Sequence, residues 1–102
     1  VKRFAKVAGE MVSLETVEKL AFHASPGKLH ASSTQPDPTR GEIIILFTTD
    51  RDLTRDRMQS AIKDGGWPEI AMPRKIIPVD TLPLLGTGKV DYVTLKTWAE
   101  KA

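Results

Sequence analysis

A chain of 102 residues, 40% hydrophobic and 27% charged, suffices for one small globular domain with one core. Cysteine is absent, which excludes a disulfide frame and thiolate chemistry, and the apolar run Ile43 to Phe47 is far short of the ~18 residues a membrane-spanning helix needs. The net charge of +2 is also far from the clustered charge of a dedicated nucleic-acid binder.

Val1 to Val12 reads as a strand, a turn at Gly9 and a short second strand. Phe4, Val7 and Val12 are its apolar points, and Lys2, Arg3, Lys6 and Glu10 its polar ones. Val1 to Leu20 is charged and periodic, unlike the apolar block of a signal peptide. Beginning on valine inside a strand, the chain is expected to be a piece of a longer protein. Ser13 is placed to cap a helix, with Glu15 in the favourable first turn. Leu14, Val17, Leu20 and Ala21 recur at helical spacing, so the helix runs from Leu14 to about His23 and ends at Ser25-Pro26-Gly27.

Leu29 to Ser33 is a predicted strand, and Thr34 to Gly41 a polar loop with turn residues. Glu42 to Thr49 is the strongest strand pattern, with three consecutive isoleucines and two apolar faces, which places it centrally. Thr54 caps the next helix, Arg55 to about Asp64, with Leu53 and Met58 at the spacing of a hydrophobic staple. Gly65-Gly66 stops it. Trp67 to Met72 is irregular or a single turn. Arg74 to Val79 is a strand that Pro78 confines to an edge or an end. The last helix, Tyr92 to Lys101, carries Tyr92, Leu95 and Trp98 on one stripe. The order predicts a small α+β domain: a mostly antiparallel sheet of about three main strands plus an N-terminal two-stranded hairpin, flanked by three helices.

Between the last strand and the last helix stands Pro83-Leu84-Leu85-Gly86-Thr87-Gly88-Lys89-Val90-Asp91. Glycines free the backbone there, Asp91 caps the helix, and Lys89 is delivered on a flexible arm. This is not the nucleotide-binding P-loop. Pro83 occupies the position of that motif's first glycine, and Val90 replaces the Ser or Thr after its lysine. The residues leave two readings open: a solvated turn that holds a lysine, or a cation brought to a phosphate or carboxylate. His23 and His30 have no acidic or cysteine partners at metal spacing, so no metal site is expected and both read as surface or half-buried. Trp67 and Trp98 read as core. Asp50, Asp52 and Asp56 alternate with Arg51, Arg55 and Arg57 and largely neutralise them.

Two stretches about 70 residues apart are more informative as a pair: Lys2-Arg3-Phe4-Ala5-Lys6-Val7-Ala8-Gly9-Glu10-Met11-Val12-Ser13, and Leu82 to Asp91 with its Gly86-Thr87-Gly88-Lys89 core. Together they resemble the C-terminal domain of the adenylate-forming superfamily, which includes acyl-CoA synthetases, peptide-synthetase adenylation domains and luciferases. The narrower likeness is to the acyl-acyl-carrier-protein synthetase part of the bifunctional enzyme that also reacylates 2-acylglycerophosphoethanolamine.

The resemblance implies a mobile C-terminal domain of an ATP-dependent ligase, inactive alone, whose N-terminal adenylation domain lies in the same parent chain. The parent would form acyl-AMP from a fatty acid and MgATP, then pass the acyl group to the phosphopantetheine thiol of acyl carrier protein. By resemblance Lys89 is the adenylation lysine, supported by Gly86, Thr87, Gly88 and Asp91. Lys2 falls at the hinge, and Lys6, Gly9 and Glu10 at the loop that faces pantetheine in the thioester step. Ala5 and Glu10 depart from the family's usual residues there, and an acidic Glu10 favours a carrier protein over the phosphates of free CoA. The expected setting is cytoplasmic, with inner-membrane association of the parent left open. Two alternatives stand beside this reading: a domain serving free CoA, and a non-enzymatic module binding protein or nucleic acid through a basic face.

Overall fold

Alternating side chains along one central strand divide this domain into two cores. The computed structural model describes residues 3–102. In chain order the elements are β1 (Phe4–Val7), β2 (Glu10–Ser13), α1 (Leu14–Ala24), β3 (His30–Asp37), β4 (Gly41–Thr48), α2 (Arg55–Gly65), a 3-10 turn (Glu69–Ala71), β5 (Lys75–Pro78) and α3 (Tyr92–Lys101). This is an α+β fold with a mostly antiparallel five-stranded sheet.

The central strand is β4, as its two apolar faces predict. Along one side β3 pairs antiparallel with it from His30↔Thr48 to Asp37↔Gly41. The other side is shared: β1 meets it at Val7↔Gly41, and β5 runs parallel beside Ile45 to Thr48. Ile44 and Leu46 face α1 and α2, packing with Val17, Leu20, Met58 and Ile62. Ile43, Ile45 and Phe47 face α3, packing with Ala31, Leu82, Leu95 and Ala99. Each helix starts on its predicted cap: Ser13 accepts from the Thr16 N–H and Thr54 from the Arg57 N–H. Gly66 ends α2 in the left-handed conformation, φ 67°.

Three expectations need correction. The polar stretch after Ser33 is not all loop, because β3 continues to Asp37 and pairs there with the first residues of β4. The turn itself is short, and the Asp37 carboxylate accepts from the N–H groups of Thr39 and Arg40, at 3.1 and 2.8 Å. In β1 the inward residue is Ala5, fully buried, while Phe4 is 46% exposed. The two-residue period puts Ala5 opposite Val12 on the core face and turns Phe4 outward. In α3 the buried residues are Leu95 and Ala99, with Trp98 against Phe47, whereas Tyr92 lies on the surface.

The β1–β2 hairpin turns on Ala8 and Gly9, both with positive φ, 51° and 85°. That is the two-residue primed turn, which asks for Asn-Gly rather than Ala-Gly. Ala8→Asn is therefore expected to stabilise the domain by up to about 1 kcal/mol, measured as a higher urea midpoint.

Candidate functional site

The lysine loop is a closed hairpin rather than a loose arm. Leu84 and Val90 form an antiparallel bridge. The Leu85 N–H donates to the Lys89 carbonyl at 2.7 Å, the Gly88 N–H to Leu85 O at 2.9 Å, and the Asp91 N–H to Pro83 O at 2.8 Å. Gly88, with φ 88°, makes the tight return possible. The backbone of Lys89 is thus held while Gly86, Thr87 and the Lys89 side chain stand in solvent. Among the described residues no side chain forms an ion pair with Lys89.

Asp91 anchors the base of this hairpin. Its carboxylate accepts from the Thr94 hydroxyl at 2.8 Å and the Thr94 N–H at 3.1 Å. Those bonds, the hydroxyl first, hold the carboxyl below its usual range against the opposing effect of burial. Asp91 is consequently an ionised helix cap, unsuited to act as a proton donor.

The second predicted group lies on the β1–β2 hairpin. The Lys6 N–H donates to Glu42 at 2.7 Å, leaving the ammonium exposed. Lys6, Gly9, Arg40, Gly41 and Glu42 line an open depression of about 430 Å³. Gly9 has open space where a Cβ would stand, so its positive φ, not crowding within this chain, is what calls for glycine. Glu10 is exposed at the end of the turn, opposite Val7. The structure brings Lys6, Gly9 and Glu10 together on one hairpin, and Gly86, Thr87, Gly88, Lys89 and Asp91 on another. Lys2 lies outside the described residues.

Sequence reasoning missed Arg3, which reads only as one of the polar points of the first strand. Its guanidinium pairs with Glu18 at 2.7 Å, donates to the Ser32 carbonyl at 3.2 Å and lies 3.7 Å above the ring of Tyr92. The other Glu18 oxygen accepts from the Ser32 N–H at 2.7 Å. Burial, followed by the Glu18 charge, pushes the Tyr92 hydroxyl up, and Arg3 opposes them. The partners are distant in sequence, so no local spacing announces the cluster.

His30 is buried rather than half-exposed. It joins Ser25, Thr48, Asp50 and Arg57 in a polar network. Ser25 donates to Asp50, the His30 Nε2 bonds the Ser25 carbonyl, and the Thr48 hydroxyl bonds the His30 Nδ1. Arg57 donates to Asp50 and to the Ala24 carbonyl. The serine hydroxyl is committed to the aspartate and not to the imidazole, so this is a brace between α1 and α2, not a nucleophilic triad.

The Ser25 hydroxyl first, then the Asp52 N–H and Arg57, hold the Asp50 carboxyl below its usual range against desolvation. A depressed folded value stabilises above the unfolded pKa, about 3.9, and that contribution is lost as pH falls through the folded value. Asp50→Asn should lower the thermal midpoint by several degrees at pH 7, and the gap from wild type should narrow towards pH 3. Thermal melts across that range check both statements.

No protein-family profile matches the chain. Triostin synthetase I from Streptomyces triostinicus is 31% identical over 102 residues, covering 97% of this chain and 19% of that protein. The hybrid PKS-NRPS synthetase pydA from an Acremonium species is 29% identical over 97 residues, covering 89% of this chain and 2% of that protein. Among solved structures, a Mycobacterium tuberculosis fatty acyl CoA synthetase superposes with a TM-score of 0.82 at 21% identity, covering 96% of this chain and 20% of that one. The chain thus spans about a fifth or less of the length of each.

Proposed function

We infer, from a chain whose relatives and fold are those of the C-terminal domain of adenylate-forming ligases, that it is the mobile domain of an ATP-dependent acid–thiol ligase. A single observation carries this reading. Lys89 is an exposed cation, held at its backbone by a closed hairpin and without an ion-pair partner among the described residues. A Lys89 buried in a salt bridge would instead have favoured a plain structural turn. The mobility assigned to a loose arm belongs instead to the whole domain, which carries a firm hairpin into and out of the parent's active site.

Among the described residues no three His, Asp or Glu side chains are grouped to hold a metal. The family resemblance assigns MgATP and the acid to the N-terminal domain of the parent chain. When bound there, MgATP supplies the α-phosphate that the acid's carboxylate attacks, with pyrophosphate as leaving group. What this chain brings to that step is the Lys89 ammonium, placed where negative charge develops between carboxylate and phosphate. For the thioester step the β1–β2 hairpin replaces it. Lys6 and Gly9 would line the path of the phosphopantetheine arm, and Lys2 would be the pivot between the two poses.

The substrate class is a fatty acid and the acceptor is acyl carrier protein. The likeness of Lys2 to Ser13 and of Pro83 to Lys96 to acyl-acyl-carrier-protein synthetases supports both. Relatives named as peptide synthetases agree with a carrier-borne thiol, and the acidic Glu10 favours it over free CoA. The test is pyrophosphate release by the full-length parent with MgATP and a panel of fatty acids, wild type against Lys89→Ala. Thioester formation is then followed with acyl carrier protein and with CoA. Turnover on the carrier protein supports the reading, preference for CoA replaces the acceptor, and equal pyrophosphate release by the two proteins refutes the role of Lys89.

A further inference from the structure

The residue that opens the described chain and the hairpin that carries Lys89 meet through one side chain. The Arg3 carbonyl accepts from the Leu14 N–H at 3.0 Å, which ties the start of β1 to the start of α1. Its guanidinium is then held by Glu18 and by the Ser32 carbonyl, with side-chain exposures of only 21% for Arg3 and 15% for Glu18. The face of the same guanidinium lies against Tyr92, the first residue of α3. Tyr92 directly follows Asp91, whose N–H closes the lysine hairpin on Pro83 and whose carboxylate caps α3. A short continuous path therefore runs from Arg3 through Tyr92 and Asp91 to the base of the hairpin.

We propose that Arg3 is a positioning residue for Lys89. It locks the base of the lysine hairpin to the point where the chain enters the domain, so that rotation upstream of Arg3 moves Lys89 as part of one rigid body. The inference rests on the proposed function and deepens it. A planar guanidinium suits the task, since it offers its edge to a carboxylate and a carbonyl while stacking its face on a ring. Lysine could keep the charge but not that geometry. Because Lys89 acts in adenylation only, loosening the lock should affect one half-reaction and spare the other.

The experiment uses the full-length parent and measures both half-reactions separately: pyrophosphate release from MgATP and fatty acid, and thiol acylation from pre-formed acyl-AMP. Arg3→Gln and Tyr92→Leu are each expected to lower the kcat of pyrophosphate release roughly tenfold, as a displaced catalytic group does, with acylation from acyl-AMP unchanged. Arg3→Lys should restore little. Tyr92→Phe, which keeps the ring face, should keep the rate. The double variant Arg3→Gln/Tyr92→Leu should be no slower than either single one, because both break the same link.

Equal losses in both half-reactions would reduce Arg3 to a stabilising residue and overturn the proposal, as would unchanged adenylation. Should Arg3→Gln not fold, the two Tyr92 variants decide alone. Lys89→Ala is run alongside. If it abolishes adenylation while the Arg3 and Tyr92 variants do not slow it, only this inference falls. If it leaves adenylation intact, the functional reading falls and takes the inference with it.

Discussion

Lys89→Ala in the full-length parent is expected to slow pyrophosphate release about 10²–10³-fold, the loss seen when one preorganised donor is removed from a developing oxyanion, or about 2.7–4 kcal/mol of transition-state stabilisation. The side chain is exposed here and its backbone is pinned at both ends of the hairpin, so the alanine variant should fold as the wild type does. KM for the acid should move far less than kcat, since in the proposed role the ammonium contributes where charge develops rather than where substrate binds. Transfer from pre-formed acyl-AMP should be retained. Lys89→Arg keeps the charge on a bulkier, differently shaped head and should recover only part of the rate. Single-turnover measurements of the two half-reactions read these outcomes directly.

The second large effect concerns stability. Leu46→Ala should destabilise the domain by about 2–5 kcal/mol. Leu46 is fully buried between the central strand and the two helices of its face, where Leu20 and Met58 are also without solvent contact. A domain of this size has about 5–15 kcal/mol in total, and each kcal/mol corresponds to roughly 4–8 °C in Tm. The variant should therefore melt at least about 8 °C lower. Val93→Ala is the control: Val93 is 82% exposed, and its replacement should stay within about 0.5 kcal/mol. Urea and thermal unfolding of the two variants measure the contrast.

Most of the architecture was legible because its signals are local. Ser13, Thr54 and Asp91 each combine a capping side chain with an apolar stripe that begins just after it, and each is the observed cap. The isoleucine run marked the central strand because only a strand covered on both faces tolerates it. What failed was set by partners far along the chain. Thr34 to Asp37 is polar and contains Pro36, which locally favours a turn, yet Glu42 to Ile44 supply a strand for it to pair with. Phe4 reads as an apolar point of the first strand, and only the register with β2 shows that Ala5 is the residue it buries.

The candidate residues followed from a resemblance of motifs, while their setting did not. The bonds that turn the lysine loop into a hairpin run between backbone groups, and backbone groups have no sequence signature. Arg3 was misread for a related reason. Its value lies in Glu18, Ser32 and Tyr92 converging on it from three other elements.

The free side of β3 has a consequence for how the protein behaves among its own copies. A strand at the border of a sheet is a template for another strand. Here the template is already filled by side chains. Glu18 takes the Ser32 N–H and Arg3 the Ser32 carbonyl, Lys96 takes the Thr34 carbonyl at 2.8 Å, and Pro36 has no N–H to offer. An incoming strand would have to displace two charged groups from Ser32 and a third from Thr34, then register against a proline. Between Ser32 and Pro36 the border is guarded against intermolecular β-pairing.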